Sequence, residues 1–530
     1  MYCPVADCAD GKVSGDIVKL KVDNAKQVLC YRNIPFAKPP TGKLRFKAPQ
    51  MANLWEGVRD GSTLSKIPFQ PLEFPKAEEK QFPMKRSPGE DEDMDEDCLY
   101  LTIYTTTLDR NTNLPVMVWF YGGSFQDGSE KLYDGSALAG INDVVVVIPN
   151  YRLNVFGFLS LGQDSLCPGN AGLLDQMMAL KWVQRNVKYF GGNPDNVTIF
   201  GESAGGMAVN HHVNSPMSRG LFHRAISHSG QANSHVYFAK KPAEGKKKLL
   251  EFLGIKETNE AALLQILQNI PASVLHRAHK HFGYDELLFL PCVDGKFLVK
   301  SPEESLRDRD FDRVPYMIGC NNTEGMGIMS SSIYGKEFEN KELSEEEFTE
   351  YLYFPVKDGD LKEWREFYNE KNLLKLFGRV IGDVIFVVPA VTTASFYAEN
   401  NDVYFYYGSF QLRFHHDDDF GPKEARKPSW CFCDHGDDVY MMLGMPFTPG
   451  NLRNMAVFSK EEEELSQKCM KFITNFARYG NPNNKTTGTG IEWPKYSKKG
   501  KYLILDHAPN IGSDLAVKEI DYWTTYANRT

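Results

Sequence analysis

Asn196-Val-Thr-Ile-Phe-Gly-Glu-Ser-Ala-Gly-Gly-Met-Ala-Val209 decides the fold. Val197 to Phe200 is a short apolar run of buried-strand type, and Ala204 onward reads as a helix. Between them stands Gly201-Glu202-Ser203-Ala204-Gly205, a Gly-x-Ser-x-Gly turn in the strand–turn–helix context that gives the pattern its meaning. A residue on so tight a turn crowds its neighbours, so the flanking Gly201 and Gly205 must lack side chains. The hydroxyl of Ser203 then projects at the carboxyl edge of a sheet, beside the free N–H groups of a helix N-terminus. Ser203 is the candidate nucleophile.

A serine is unreactive without a base and a group that orients the base, and this sheet topology places them downstream in the order Ser, acid, His. Met317-Ile-Gly-Cys-Asn-Asn-Thr-Glu-Gly-Met326 puts Glu324 just past an apolar run, at a Gly-containing loop. Trp430-Cys-Phe-Cys-Asp-His-Gly-Asp-Asp-Val439 puts His435 before a helical pattern. Neither stands out alone, since Glu324 could be a surface acid and the chain has 12 histidines. A competing reading is metal binding by Cys431, Cys433, His435 and the acidic-histidine stretch His415 to Asp419. Cys-x-Cys-x-His is too cramped for one tetrahedral zinc, and no second ligand pair stands at the usual spacing. No metal is expected, and the 415–419 stretch is read as an exposed loop.

Strand-like runs recur at Val116 to Tyr121, Val144 to Pro149, Val314 to Ile318, Val403 to Tyr407 and Tyr502 to Leu505. Helical patterns separate them, the cleanest being Ala171 to Phe190, with Leu173, Met177, Leu180 and Val187 on one face. This alternation predicts an α/β fold with a large, mostly parallel sheet covered on both faces. No linker, repeat or low-complexity tract divides the chain, so residues 1–530 read as one domain with helical insertions at about 236–310 and 331–400.

The 530 residues carry a formal charge of -9, and no Lys/Arg stripe supplies the basic face a nucleic acid requires. Lys240 to Lys248 reads as a solvated helix entry, and Gly89 to Asp97 as a solvated acidic loop or a negative rim attractive to cations. No apolar run has the length of a membrane span, and the first residues lack a signal-peptide core, so a cytoplasmic protein is expected. The 10 cysteines are scattered, which does not resemble a disulfide framework. Asn-x-Ser/Thr at Asn196, Asn321, Asn484 and Asn528 is read as chance occurrence.

Over nearly its whole length the chain resembles the type-B carboxylesterase and cholinesterase family. The landmarks are Tyr31 to Phe46 (YRNIPFAKPPTGKLRF), Glu96 to Tyr104 (EDCLYLTIY), Val116 to Phe125 (VMVWFYGGSF), Asn150 to Leu159 (NYRLNVFGFL), Pro168 to Asn186 (PGNAGLLDQMMALKWVQRN) and Phe190 to Gly206 (FGGNPDNVTIFGESAGG). The resemblance implies an α/β-hydrolase fold and a serine carboxylic-ester hydrolase acting on a small-molecule or lipid ester, with a Ser203–Glu324–His435 triad and no cofactor. It further implies an oxyanion hole from the N–H groups of Gly123, Ser124 and Ala204, a supporting Ser229, and ion pairs Arg45–Glu96 and Arg152–Asp175.

The chain departs from the family in three places. Tyr-Gly-Gly-Ser stands where many relatives have a third glycine, and bile-salt-activated lipases resemble this chain in having a small non-glycine residue there. The usual partner of Cys98 is missing from the preceding stretch, and the second disulfide pair has no counterpart between Gln231 and Leu290. Both absences fit a reducing compartment, with Cys98 a free thiol. Choline-ester specificity is disfavoured, because Phe69 to Asp97 contains no tryptophan to form the cation platform. A catalytically silent, neuroligin-like binding protein is the alternative, but such relatives lose the nucleophile that Ser203 retains.

Overall fold

The computed structural model of the chain describes residues 3–22, 26–70, 94–326, 342–351, 361–412, 429–449, 458–483 and 490–527. Strands follow in chain order: β1 (Val5–Asp7), β2 (Lys12–Ser14), β3 (Asp16–Val18), β4 (Val28–Pro35), β5 (Val58–Asp60), β6 (Tyr100–Thr105), β7 (Leu114–Phe120) and β8 (Val145–Pro149). After them come β9 (Gly192–Glu202), β10 (Arg224–His228), β11 (Tyr316–Asn321), β12 (Val403–Gly408), β13 (Lys501–Leu505) and β14 (Asn510–Ser513). β1, β2 and β5 form a 3-stranded sheet, and the rest form one of 11 strands ordered β14-β13-β12-β11-β10-β9-β7-β8-β6-β4-β3. From β8 to β13 the neighbours run parallel, while β14 on one side and β6, β4 and β3 on the other are antiparallel.

Every residue of β7 and β8 is buried, so both read as unbroken apolar runs rather than alternating ones. Side chains still alternate between faces. Val116, Val118 and Phe120 enter one hydrophobic cluster, and Met117, Trp119 and Tyr121 the other. Of the parallel strands, β7, β8, β12 and β13 match the apolar runs to within two residues, while β9 begins at Gly192, five residues before Val197, and β11 runs from Tyr316 to Asn321, two residues later than Val314 and three beyond Ile318. β3, β4, β6, β10 and β14 have no counterpart among the predicted runs. β10 (RAISH) carries polar residues in mid-sheet, where Ser227 donates to the Gly206 carbonyl at 2.8 Å.

The predicted Ala171 to Phe190 helix is α-helical through Asn186 and closes with a 3-10 turn, Val187–Phe190. Its apolar residues do not share a single core: Leu173 and Met177 join one hydrophobic cluster, Leu180 and Val187 the other. The stretch read as the first insertion carries the helices Pro242–Leu253, Glu260–Asn269, Ala272–Glu286 and Pro302–Asp308. The second carries Glu345–Tyr351, Leu361–Tyr368 and Leu373–Gly382, then a π-helical turn Asp383–Val387 leading into Val388–Tyr397.

Some sequence expectations fall outside the described residues: 89–93 of the acidic run, the 415–419 stretch, Asn484 and Asn528. Within the acidic run, Glu96 corrects the reading as a solvated loop. Its side chain is only 10% exposed because Arg45 grips it at 2.5 Å. Asn321 could not present a glycan, since it is buried with its amide donating to the Asp434 carbonyl and the Asp438 carboxylate.

Candidate active site

β9 ends at Glu202, and the helix Ala204–Asn214 begins one residue after Ser203. Ser203 makes the turn at φ 55 and ψ -127, backbone strain that costs on the order of 1–3 kcal/mol unless its surroundings impose it. They do. A Cβ on Gly205 would lie 1.9 Å from the Phe120 carbonyl oxygen, one on Gly201 2.5 Å from the same atom, and one on Gly230 2.0 Å from the Ser203 oxygen. The Ser203 N–H donates to the His228 carbonyl at 3.0 Å.

Glu324 follows β11 and is 1% exposed. Its Oε1 accepts the Asn321 N–H at 2.6 Å and the Ser229 hydroxyl at 2.5 Å. Its Oε2 lies 2.7 Å from His435 Nδ1. Burial pushes the Glu324 carboxyl above the ordinary carboxylate range, and the bonds from His435 and Ser229 oppose that rise. Two groups 111 residues apart in sequence thus meet.

The other imidazole nitrogen, Nε2, lies 3.0 Å from Glu202 Oε1. Among the described residues the Ser203 hydroxyl makes no hydrogen bond. Burial pulls the His435 pKa down and is the largest single influence, but Glu202, Glu324 and Asp434 together outweigh it and carry the pKa up to about 9. Phe386, on the π-helical turn, packs its ring 4.3 Å from that of His435. Sequence reasoning passed over Glu202, although an acid adjoining the nucleophile in the turn was the available signal.

The turn after β7 bends through φ 105 at Gly123, 55 at Ser124 and 61 at Phe125. The N–H groups of Gln126 and Asp127 close it onto the Gly123 carbonyl at 2.7 and 3.0 Å. Among the described residues, the N–H groups of Gly123, Ser124 and Ala204 donate to no protein acceptor. The turn abuts the nucleophile: a Cβ on Gly122 would lie 2.9 Å from Ser203 Cβ. Ser124 Oγ donates to the Tyr237 hydroxyl at 3.4 Å.

Two buried ion pairs brace the surrounding loops. Arg45 holds Glu96 and reaches the carbonyls of Leu267 and Ile270, which pins the first insertion to the loops that carry Arg45 and Glu96. Arg152 grips both oxygens of Asp175 at 2.7 Å, and its N–H adds a third bond at 3.0 Å. All 10 cysteines are free, including buried Cys98. Among the described residues no group of His, Cys, Asp or Glu could hold a metal, and no helix is long and apolar enough to cross a membrane. Cys431 Sγ instead contacts Thr323 Oγ1 at 3.7 Å, and His435 Nδ1 is committed to Glu324.

Comparison with known proteins gives the same direction. The model of the carboxylesterase family matches residues 3–523. The pyrethroid hydrolase Ces2e of Rattus norvegicus is 38% identical, over 98% of this chain and 89% of its own length. The cocaine esterase of Homo sapiens is 38% identical over 98% of this chain and 91% of its own, and the acylcarnitine hydrolase of Mus musculus 37% over the same shares. With a large parallel-centred sheet and a strained serine at the head of a helix, the chain belongs to the carboxylesterase family, hydrolases of carboxylic esters.

Proposed function

We propose that the chain cleaves a small-molecule or lipid carboxylic ester through an acyl-enzyme on Ser203, with His435 as general base and Glu324 as the acid that orients it. The contact between Glu324 Oε2 and His435 Nδ1, beside the strained Ser203, is the observation that carries this reading. Neutral His435 takes the Ser203 proton as the hydroxyl attacks the carbonyl, and Glu324 stabilises the imidazolium that forms. The tetrahedral oxyanion is received by the N–H groups of Gly123, Ser124 and Ala204, and Ser229 steadies Glu324. His435 passes its proton to the leaving alcohol, and water repeats the cycle on the acyl-enzyme. His435 Nε2 faces Glu202 at 3.0 Å, so the proton transfer needs a rotation of the Ser203 side chain or a small movement of the imidazole. The sequence 1–530 works as one domain in this reading, its insertions walling the pocket. Support comes from Tyr237 and Phe386, which approach Ser124 and His435 from the two insertions. The free cysteines support a cytoplasmic location.

Ser203→Ala tests the assignment. Turnover of a chromogenic ester and labelling by a fluorophosphonate should both vanish, while the melting temperature stays within about 2 °C of the parent because the hydroxyl of half-buried Ser203 makes no hydrogen bond among the described residues. Activity within tenfold of the parent would remove Ser203 as nucleophile.

A further inference from the structure

Beneath the three loops of the site lies a row of polar side chains that this chemistry does not use. His228 ends β10, Tyr406 lies on β12, Asn321 ends β11, and Asp438 is in the short helix Asp437–Met442; all four are fully buried. The Tyr406 hydroxyl donates to Asp438 Oδ2, and Asn321 Nδ2 donates to Asp438 Oδ1 at 2.9 Å. Since the tyrosyl proton goes to the carboxylate, the 2.7 Å contact between Tyr406 and His228 Nδ1 requires the proton on Nδ1. Burial lowers the His228 pKa to about 3, so the ring is neutral, and its unpaired Nε2 is a bare acceptor, not a stranded N–H.

Four polar groups in a core are tolerated only as a connected set, and the connections of this set are specific. The backbone carbonyl of His228 holds the Ser203 N–H at 3.0 Å. The backbone N–H of Asn321 holds Glu324 Oε1 at 2.6 Å. The side chain of Asn321 holds the carbonyl of Asp434, the residue before His435, at 2.9 Å. One carboxylate is therefore tied to the backbone segments that carry all three members of the Ser203–Glu324–His435 set.

We propose that Asp438, Tyr406 and His228 are positioning residues: a buried relay that keeps the nucleophile turn, the acid loop and the base loop in mutual register. The proposal rests on the triad reading above. None of the three touches substrate. Loss of the relay lets the loops settle independently, which moves the Ser203–His435 geometry without altering the pocket that binds the ester.

The test uses the full chain with Tyr406→Phe, Asp438→Asn and the double variant, measuring kcat and KM on one chromogenic ester and the melting temperature of each protein. Asp438→Asn preserves volume but offers one acceptor oxygen to the two donors that converge on it, Tyr406 Oη and Asn321 Nδ2, so the chain of bonds is interrupted or reversed at one neighbour, and the variant decides the matter alone if Tyr406→Phe does not fold. Expected in folded protein is a kcat lower by roughly ten- to hundredfold, the cost of small misplacement at a reacting centre, with KM within about twofold. The double variant should be no slower than the slower single one, because both break the same chain. Parental kcat in folded Asp438→Asn, a loss confined to KM, or fully additive losses would each overturn the proposal. Failure of the triad reading is separate: it appears as retained turnover in Ser203→Ala, whatever the relay variants do.

Discussion

Glu202→Gln isolates the least expected contact of the site. With its pKa raised to about 9, His435 is protonated at neutral pH, and the neutral fraction that can act as base at pH 7 is only about 1%. The acid limb of kcat/KM in the parent should therefore have its midpoint near pH 9, activity rising with pH through it. Glutamine keeps the size of the side chain against Gly122 but removes a charge 3.0 Å from Nε2. An opposite charge at that range holds a pKa up by roughly 1–3 units, so the midpoint should fall to about 6–8, and the neutral fraction at pH 7 should rise at least tenfold. The assay is kcat/KM on a chromogenic ester between pH 5 and 10, with ester choice fixed so that its own hydrolysis is subtracted. Rates near pH 10, where the imidazole is neutral in both proteins, report any separate effect of Glu202 on the transition state. Stability supplies a second readout. A histidine whose pKa is raised by folding stabilises the fold fully below its unfolded pKa of about 6.5, and that stabilisation is lost as pH rises through about 9. The decline in melting temperature across that window should be smaller in Glu202→Gln. A midpoint within about 0.3 unit of the parent, or one that moved upward, would refute the argument that Glu202 sustains the basicity of His435.

Ser229→Ala removes the 2.5 Å donor to Glu324 and leaves the Asn321 N–H on the same oxygen; a bond to a charged group contributes about 1.5–3 kcal/mol, so kcat should fall about tenfold or more in steady-state assays. Ser124→Gly should keep turnover within about threefold and stability within about 1 kcal/mol by urea denaturation, because glycine takes φ 55 without strain but frees the unfolded chain. Ser124→Pro cannot serve as a clean N–H deletion, since the ring fixes φ near -65° and would break the turn itself. Asp175→Ala leaves the Arg152 guanidinium buried and uncompensated, and should cost about 3–5 kcal/mol in the same denaturation experiment.

Ser203 could be read from 14 residues because the constraints on it are local. The strand, the turn and the helix adjoin in sequence and the glycines mark the turn, although the atoms nearest a side chain at Gly201 or Gly205 belong to Phe120 at the end of β7. Most of the parallel strands were legible for a related reason, since burial on both faces leaves an unbroken apolar run. β3 and β4 at the margin, and β10 with its serine and histidine, did not announce themselves because their character comes from neighbours in space. Glu324 and His435 were ordinary residues until the resemblance to a family singled them out. What brings them together is the register of β11 and the loop before Asp437–Met442, and a chain pattern does not encode a contact across 111 residues. Tertiary structure alone decided that Nε2 of His435 faces Glu202, that three successive residues of the Gly123 turn take positive φ, and that Asp438 reaches Tyr406 beneath the site. Each depends on angles and distances between segments packed from opposite ends of the chain, where electrostatics and burial act through space without regard to sequence order.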